Sequence, residues 1–265
     1  MPRKKKTLRP ITNFLLSGIF CALLPCKTVS VSAERNWERM GEYVTYFNVE
    51  DKGRCENIEI AGALINGITL QAFGEFSFNQ TVGRRTEEFG FKQAKIIVNG
   101  QYALGVGGGV CQVSTTLYNT ALLSGLSVTE YHPHSLKVGY VAPSRDAMVS
   151  SHSDLKLYNP YPFAVRLCAE TENGCVRIRF LGKSLDKTYK IVSVVTGEIP
   201  PPAPIIKEGT EDGVLREGKN GIKSEAYLET YQKGKLVSRK RLREDVYRPT
   251  QGVVVKKTEN PHNFP

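Results

Sequence analysis

The chain has 265 residues, of which 40% are hydrophobic and 23% are charged, and its formal net charge is +10. This length holds one sizeable domain and a smaller module, since domains usually run to roughly 100–200 residues. Residues 1–33 contain six basic residues and no acidic one, so the remaining chain carries 30 basic and 26 acidic residues. This modest excess suits a place near an anionic cell wall but lacks the concentrated basic surface that nucleic acids require. We therefore expect no nucleic-acid partner.

The N-terminus has the three parts of a secretory signal. A basic start is followed by the apolar run from Ile11 to Leu24 and by small residues that end at Ala33. This order predicts a signal peptide over residues 1–33, cleaved after Ala33. The apolar run is shorter than the roughly 20 residues of a membrane-spanning helix, so no stable span is expected after cleavage. An uncleaved anchor and a lipid-modified Cys26 are the alternatives. The prediction is a secreted or cell-envelope protein.

The next segments predict an α+β fold with one principal helix. Residues 34–56 are charged and irregular and form a lead-in segment, and the apolar spacing from Asn57 to Leu70 predicts a short helix. A second helical pattern, the principal one, runs from Gln112 to Ser124 and starts at a glycine-rich turn with a cysteine. Strands are predicted at 75–78, 95–98, 128–141, 147–158, 164–168 and 176–181. The principal helix is expected to pack on an antiparallel sheet.

Four prolines at positions 200, 201, 202 and 204 mark the predicted domain boundary. Proline-rich sequence favours an extended spacer, so residues 186–206 are predicted to be a linker after a domain at 57–185. Beyond it, the patterns at 224–232 and 236–247 bracket the turn Lys233-Gly234-Lys235. We expect a small C-terminal β-hairpin module over residues 207–257 and a tail over 258–265.

Two cysteines suggest a disulfide in the mature chain. Cys168 and Cys175 flank a stretch that contains Asn173-Gly174, the dipeptide that commonly turns a hairpin. Export permits disulfides, so this pair is one interpretation. Two small buried residues are the other, because free cysteines bury readily.

The segment GVGGGVCQVSTTLYNTALLSGL, residues 105–126, is the strongest candidate for chemistry. Gly107, Gly108 and Gly109 allow a tight turn with exposed amides, and the helix start favours the thiolate form of Cys111. The Gln112 side chain or nearby backbone amides are candidate donors to an oxyanion. The alternative is that the glycines only permit close helix packing and Cys111 is a buried plug.

A candidate base and acid follow the cysteine along the chain. His132 and His134 lie on a predicted strand, where a spacing of two places both on one face. Asp146 begins the next predicted strand and Asp154 lies further along it. A cysteine at a helix start, then histidine, then aspartate is also the order in transglutaminase-like and papain-like thiol enzymes. This is an analogy of order only.

Three longer segments carry a family resemblance. FSFNQTVGRRTEEFGFKQAKIIVNG, the glycine-cysteine segment and YHPHSLKVGYV, followed by RDAMV, closely resemble the VanW-like family over residues 57–183. These exported proteins were first associated with B-type vancomycin-resistance clusters and are common in Gram-positive bacteria. The tail is similar to a G5 module, although Val253-Val254-Val255 runs into Lys256 where a glycine usually ends the pattern. The resemblance implies a cell-envelope location and supplies no settled activity.

Three functions remain open. The first is a thiol enzyme that acts on an amide or ester bond of peptidoglycan, with Cys111 as nucleophile, His134 or His132 as base and Asp146 as orienting acid. The second is a non-catalytic module that binds peptidoglycan or another wall polymer. Its contacts would come from the side chains of Arg84, Arg85, Tyr118 and Asn119. The third is a zinc site at Cys111, His132 and His134. The first two require no cofactor, and none is predicted.

Overall fold

The computed structural model describes residues 37–98 and 100–257. The predicted signal peptide at 1–33 and tail at 258–265 lie outside the described residues. Within the described part, no helix is both long enough and apolar enough to span a bilayer.

The described chain is mostly β-structure with few helices, a mixed fold as expected in outline. The helices are α1 (Lys52–Ile65), α2 (Phe78–Val82) and α3 (Val110–Leu123), with a 3-10 turn at Glu87–Phe89. The strands are β1 (Glu38–Tyr46), β2 (Thr69–Leu70), β3 (Glu75–Ser77), β4 (Gln93–Val98), β5 (Gln101–Val106), β6 (Ser127–Glu130), β7 (Lys156–Tyr158), β8 (Val165–Glu172), β9 (Cys175–Gly182), β10 (Lys187–Ile199), β11 (Ile205–Gly209), β12 (Gly213–Arg216), β13 (Gly221–Gln232), β14 (Lys235–Tyr247) and β15 (Val253–Lys257).

The core of the first module lies between α3 and an antiparallel sheet in the order β1-β9-β8-β2. Twelve of the fourteen residues of α3 are buried, including Val113, Leu117 and Ala121. Strand β1 approaches this helix at Gly41, where an added Cβ would lie 2.8 Å from a backbone carbon of α3. Helix α3 thus packs on an antiparallel sheet, but it is not a single principal helix, because α1 has the same fourteen residues.

Two predictions at the N-terminal end are wrong in detail: the irregular lead-in segment over 34–56 and the short helix over 57–70. The lead-in segment 34–56 contains β1, which pairs with β9, and the first turn of α1. Helix α1 is as long as α3, and it begins at Lys52 because the Asp51 side chain accepts a hydrogen bond from Arg54 N. It ends before Gly67, whose φ of 83° lies in the left-handed region that glycine favours.

In place of the long strands predicted at 128–141 and 147–158, the structure has only the short strands β6 and β7. The segment between them, residues 131–155, contains no regular strand in the structure. Side chains elsewhere in the chain satisfy its backbone: Asn79 donates to the carbonyls of Ser150 and Ser153, and Ser114 donates to that of Ala147. These long-range partners replace the ladder of a sheet. In contrast, β8 and β9 confirm the strands predicted at 164–168 and 176–181.

The predicted linker is also corrected. Residues 187–199 form β10, which pairs with β13 from Lys187↔Gln232 to Ile199↔Gly221. The C-terminal module therefore begins before the prolines, which connect its sheet β10-β13-β14 to a second sheet, β11-β15-β12. The hairpin turn is confirmed, with φ of 50° at Lys233 and 75° at Gly234.

The predicted Cys168–Cys175 disulfide is wrong, because both thiols are free. Strands β8 and β9 do form a hairpin that turns at Asn173-Gly174, but its register pairs Glu172 with Cys175 and Cys168 with Arg179. The two cysteines are thus offset by four residues, about 13 Å along the strands. A disulfide needs Cα atoms about 4–7 Å apart.

Candidate active site

The glycine turn before α3 is held in place by helix α1. Gly107 and Gly109 have φ of 87° and 110°, and a Cβ on Gly108 would lie 2.7 Å from the Lys95 carbonyl oxygen. Asn57 is fully buried, and its Nδ2 donates to the Gly108 carbonyl oxygen at 2.9 Å. These positions require glycine both for backbone conformation and for close approach. The predicted tight turn is therefore present, directly before Cys111.

The thiol of Cys111 lies in the first turn of α3 and is partly exposed. Its Sγ accepts a hydrogen bond from Val149 N at 3.5 Å, and the His134 ring lines the same cleft. Burial alone would raise the pKa of this thiol, but the hydrogen bond and the positive charge of His134 lower it below its usual value. Arg85 lowers the same pKa further.

His134 bridges the thiol and Asp146. Its Nδ1 lies 2.7 Å from Asp146 Oδ2, and its backbone N donates to the same oxygen at 2.7 Å. Burial alone would lower the pKa of His134, but the hydrogen bonds to Asp146 and Cys111 raise it to about 9. A lowered thiol pKa beside a raised imidazole pKa means that the charged form of each group stabilises that of the other.

Asp146 is buried, with 1% of its surface exposed. Burial alone would raise its pKa, but the hydrogen bond and charge of His134 and the charge of Arg243 hold it below the usual value. Helix α3 fixes the backbone on either side of this carboxylate: Asn119 Nδ2 donates to the Arg145 carbonyl oxygen at 2.8 Å, and Thr115 Oγ1 accepts from Ala147 N at 2.9 Å. The nucleophile and the acid are thus positioned by the same helix.

The C-terminal module completes the surroundings of Asp146. Tyr247, the last residue of β14, donates from its hydroxyl to Asp146 Oδ1 and accepts a hydrogen bond from Ser144 N at 2.7 Å. Arg243 donates from Nη1 to the Asp146 carbonyl oxygen at 2.6 Å and is itself paired with Asp245. Neither residue was predicted from the sequence, since both lie about a hundred positions from Asp146, in a module that carried no predicted catalytic residue.

A cleft of about 830 Å³ opens above Cys111. Its lining includes Cys111, His134, the three glycines of the turn and both predicted arginines, Arg84 and Arg85. The predicted nucleophile, one predicted base and these predicted substrate contacts therefore share one cleft, with Asp146 buried behind His134. Arg54 and Tyr140 also line it and were not singled out from the sequence.

Four predicted site residues have other roles. His132 is not on a strand and is not among the residues that line the cleft, and its Nε2 lies 3.0 Å from Glu130 Oε1. Gln112 is no oxyanion donor, because its Nε2 already donates to Thr45 Oγ1 and to the Tyr46 carbonyl oxygen. Tyr118 and Asn119 are buried and cannot touch a ligand in the cleft.

The three residues of the zinc alternative, Cys111, His132 and His134, do not form a metal site. Because His132 turns toward Glu130, the three predicted ligands do not converge. Across residues 37–98 and 100–257, no group of three histidine, cysteine, aspartate or glutamate side chains is arranged to hold a metal ion.

Both modules match models of known protein families. Residues 53–181 match the family model of VanW like protein, and residues 190–258 match that of the G5 domain, despite the absent terminal glycine. The uncharacterized protein YoaR of Bacillus subtilis (strain 168) is 41% identical over 142 residues, which are 53% of this chain and 47% of that protein. The chain thus matches about half the length of this curated relative.

Two solved G5 structures are also similar to part of the chain. The crystal structure of HP0197-G5 is 25% identical, covering 27% of this chain and 99% of that one, with a TM-score of 0.17. The IgA1 protease G5 domain structure is 23% identical, covering 29% and 96%, with a TM-score of 0.21. Residues 53–181 are thus similar to the VanW-like family, and residues 190–258 are similar to the G5 domain.

Proposed function

We propose that this protein is a cysteine-dependent enzyme that cleaves or transfers an amide or ester bond in peptidoglycan or its peptides. The observation that carries the proposal is that Cys111 and His134 line the same open cleft, with His134 Nδ1 2.7 Å from the buried Asp146 carboxylate. A nucleophile, a base and an orienting acid in this order are the parts that acyl transfer needs.

The proposed reaction starts from a Cys111 thiolate paired with a His134 imidazolium. The Cys111 thiolate attacks the carbonyl carbon, forming a C–S bond and an oxyanion, for which we assign the backbone N–H of Cys111 as a donor. Collapse breaks the C–N or C–O bond while the His134 imidazolium gives its proton to the leaving group. Water or an amine then attacks the thioester and gives a proton to His134. Collapse of this second intermediate breaks the C–S bond and regenerates the thiolate.

Comparison with a second cysteine of the same chain, Cys55, supports His134 as the cause of the lowered Cys111 pKa. Cys55 also lies in the first turn of a fourteen-residue helix, α1, yet burial raises its pKa. Cys55 has no histidine among its hydrogen-bond partners; its Sγ donates to the Asn48 carbonyl oxygen at 3.5 Å. A helix start alone is thus insufficient to make a thiolate here.

The envelope setting is part of the proposal. The predicted signal peptide would export the chain, and the G5 domain supports a partner among cell-wall or carbohydrate-type polymers. This same domain favours the second candidate, a non-catalytic module that binds the wall. The two candidates differ in whether Cys111 forms a bond with a substrate.

The test is a search for an acyl-enzyme. The purified chain is incubated with peptidoglycan fragments and with a panel of activated esters, and peptide mass spectrometry locates any adduct. We expect acylation of Cys111, its absence in Cys111→Ala, and slower acylation in His134→Ala. Wall binding with no adduct on Cys111, together with alkylation of Cys111 no faster than that of Cys55, would favour the second candidate.

A further inference from the structure

We infer that the cleft recognises a carboxylate close to the bond that Cys111 attacks, so that the substrate class is an acidic peptide or acyl group. This inference rests on the proposed function, for which it names the substrate class. It comes from the charges that line the cleft.

Besides His134, four basic side chains and no acidic one line the cleft: Arg54, Arg84, Arg85 and Lys95. In the described part of the chain, none of the four forms an ion pair. The arginines of β14 contrast with them, since Arg239, Arg241 and Arg243 each pair with a carboxylate. The charges of Cys111 and Asp154 act on Arg85, but Arg54, Arg84 and Lys95 have no carboxylate within ion-pair distance among the described residues. Cations of this kind in a concave, partly apolar site attract an anionic ligand.

Two of these arginines flank the turn that precedes the nucleophile. A Cβ on Gly107 would lie 3.1 Å from Arg85 Cβ, and one on Gly109 would lie 3.0 Å from Arg54 Cγ. The stems of both side chains therefore pack against the glycine turn, one on each side. A ligand group held by either guanidinium would be close to Cys111.

Both guanidinium groups are fixed in place and retain donors. Arg85 Nη1 donates to Asn79 Oδ1 and to the Gly83 carbonyl oxygen, both at 2.9 Å. Arg54 Nη2 donates to Gln112 Oε1 at 2.7 Å, with the guanidinium 6.0 Å from the ring centre of Tyr140. A guanidinium has five N–H donors, so each has N–H groups that no described residue occupies. Pre-oriented guanidinium groups are well suited to carboxylates.

Not all of the basic side chains that line the cleft serve to stabilise the Cys111 thiolate. Arg85 lowers the pKa of Cys111, but Arg54 is not among the main causes of that shift. The exposed Arg84 and Lys95 lie at the mouth of the cleft, with Lys95 5.5 Å from the ring centre of Tyr102. Substitution of Arg54 therefore tests ligand recognition without removing a main cause of the lowered Cys111 pKa.

The experiment compares two probes that differ in charge, iodoacetate and iodoacetamide. Both alkylate a thiolate, and iodoacetate carries a carboxylate next to the reacting carbon. The rate constant for each is measured at Cys111 by peptide mapping, and their ratio is compared with the ratio at Cys55. We expect a higher ratio at Cys111, a fall of about tenfold in Arg54→Gln, and recovery in part in Arg54→Lys. Glutamine keeps the Cγ that packs on Gly109.

Arg84→Gln should lower the ratio less, and its effect should shrink with added salt, since exposed charges are screened. His134→Ala should slow both probes and should also lower the ratio, because the imidazolium charge is lost, whereas Arg54→Gln should lower the ratio with little change in the iodoacetamide rate. A reactive Cys111 whose ratio is the same in wild type, Arg54→Gln and Arg84→Gln would overturn the carboxylate site and leave the thiol enzyme standing.

A Cys111 that reacts with neither probe faster than Cys55 would instead count against the proposed function. The carboxylate site is then decided by calorimetry on Cys111→Ala with the acetylated, amidated peptides Ala-Glu-Ala and Ala-Gln-Ala. Tighter binding of the glutamate peptide, lost in the double variant with Arg54→Gln, would support the site. Equal binding of the two peptides would overturn it.

Discussion

Replacing Asp146 by asparagine removes the negative charge that supports His134 while keeping the shape of the side chain. The lost interaction is a charge-assisted hydrogen bond of 2.7 Å to a carboxylate that is 1% exposed. Such bonds contribute about 1.5–3 kcal/mol. Because one pKa unit corresponds to about 1.36 kcal/mol, the pKa of His134 should fall by about 1–2 units from its value of about 9.

The thiol responds in the opposite direction. A less stable imidazolium stabilises the thiolate less, so the pKa of Cys111 should rise. Alkylation at neutral pH should slow by up to about 10–100-fold, the same free energy expressed as a rate. The rate is measured against pH with iodoacetamide at Cys111.

Glu130→Gln is the matched control, because it removes the carboxylate from His132 on the same segment, where the pair is 3.0 Å apart and partly exposed. It should leave Cys111 unchanged. Equal rate profiles for Asp146→Asn, Glu130→Gln and wild type, with unchanged circular dichroism, would refute the reasoning.

Three further predictions concern the surroundings of the site. Tyr247→Phe removes the hydrogen bond to a buried carboxylate oxygen, which keeps only the Arg243 guanidinium 3.7 Å away, and leaves a buried amide without a partner. The free energy of unfolding should fall by about 2–4 kcal/mol in urea titrations, and Cys111 should alkylate more slowly. Gly108→Ala places a Cβ 2.7 Å from a backbone oxygen and should cost about 1–3 kcal/mol, whereas Gly139→Ala, in the same cleft with open space around its Cβ, should be nearly neutral in thermal unfolding. Cys168 and Cys175 should both alkylate without reductant, and a disulfide peptide between them would contradict the register of the hairpin.

The parts of the site that depend on local sequence were predictable. The glycine turn, the start of α3 and Cys111 at its N-terminus follow from residues within a few positions of one another. The pairing of His134 with Asp146 followed from their order along the chain, but the predicted reason was wrong. Both lie on an irregular segment that α3 and Asn79 hold, and not on neighbouring strands.

The remaining features depend on contacts between distant parts of the chain. Gln112 looked like an oxyanion donor because it follows the nucleophile, yet β1 occupies its amide group and Arg54 its oxygen. Tyr247 reaches Asp146 from 101 positions away, which no local pattern reveals. The linker was predicted from the cluster of prolines alone. The β-branched residues of β10 precede that cluster, and β10 pairs with a strand that follows it, β13.

The pairing of Cys111 with His134 is the central claim, and the pKa of Cys111 tests it most directly. The ultraviolet absorbance of the thiolate is followed against pH in wild type, His134→Ala and His132→Ala, with Cys111→Ser as the blank. The pKa of Cys111 should lie below its free value of about 8.5 in wild type and in His132→Ala, and rise in His134→Ala. A pKa at or above the free value in wild type, unchanged by the loss of His134, would contradict the account.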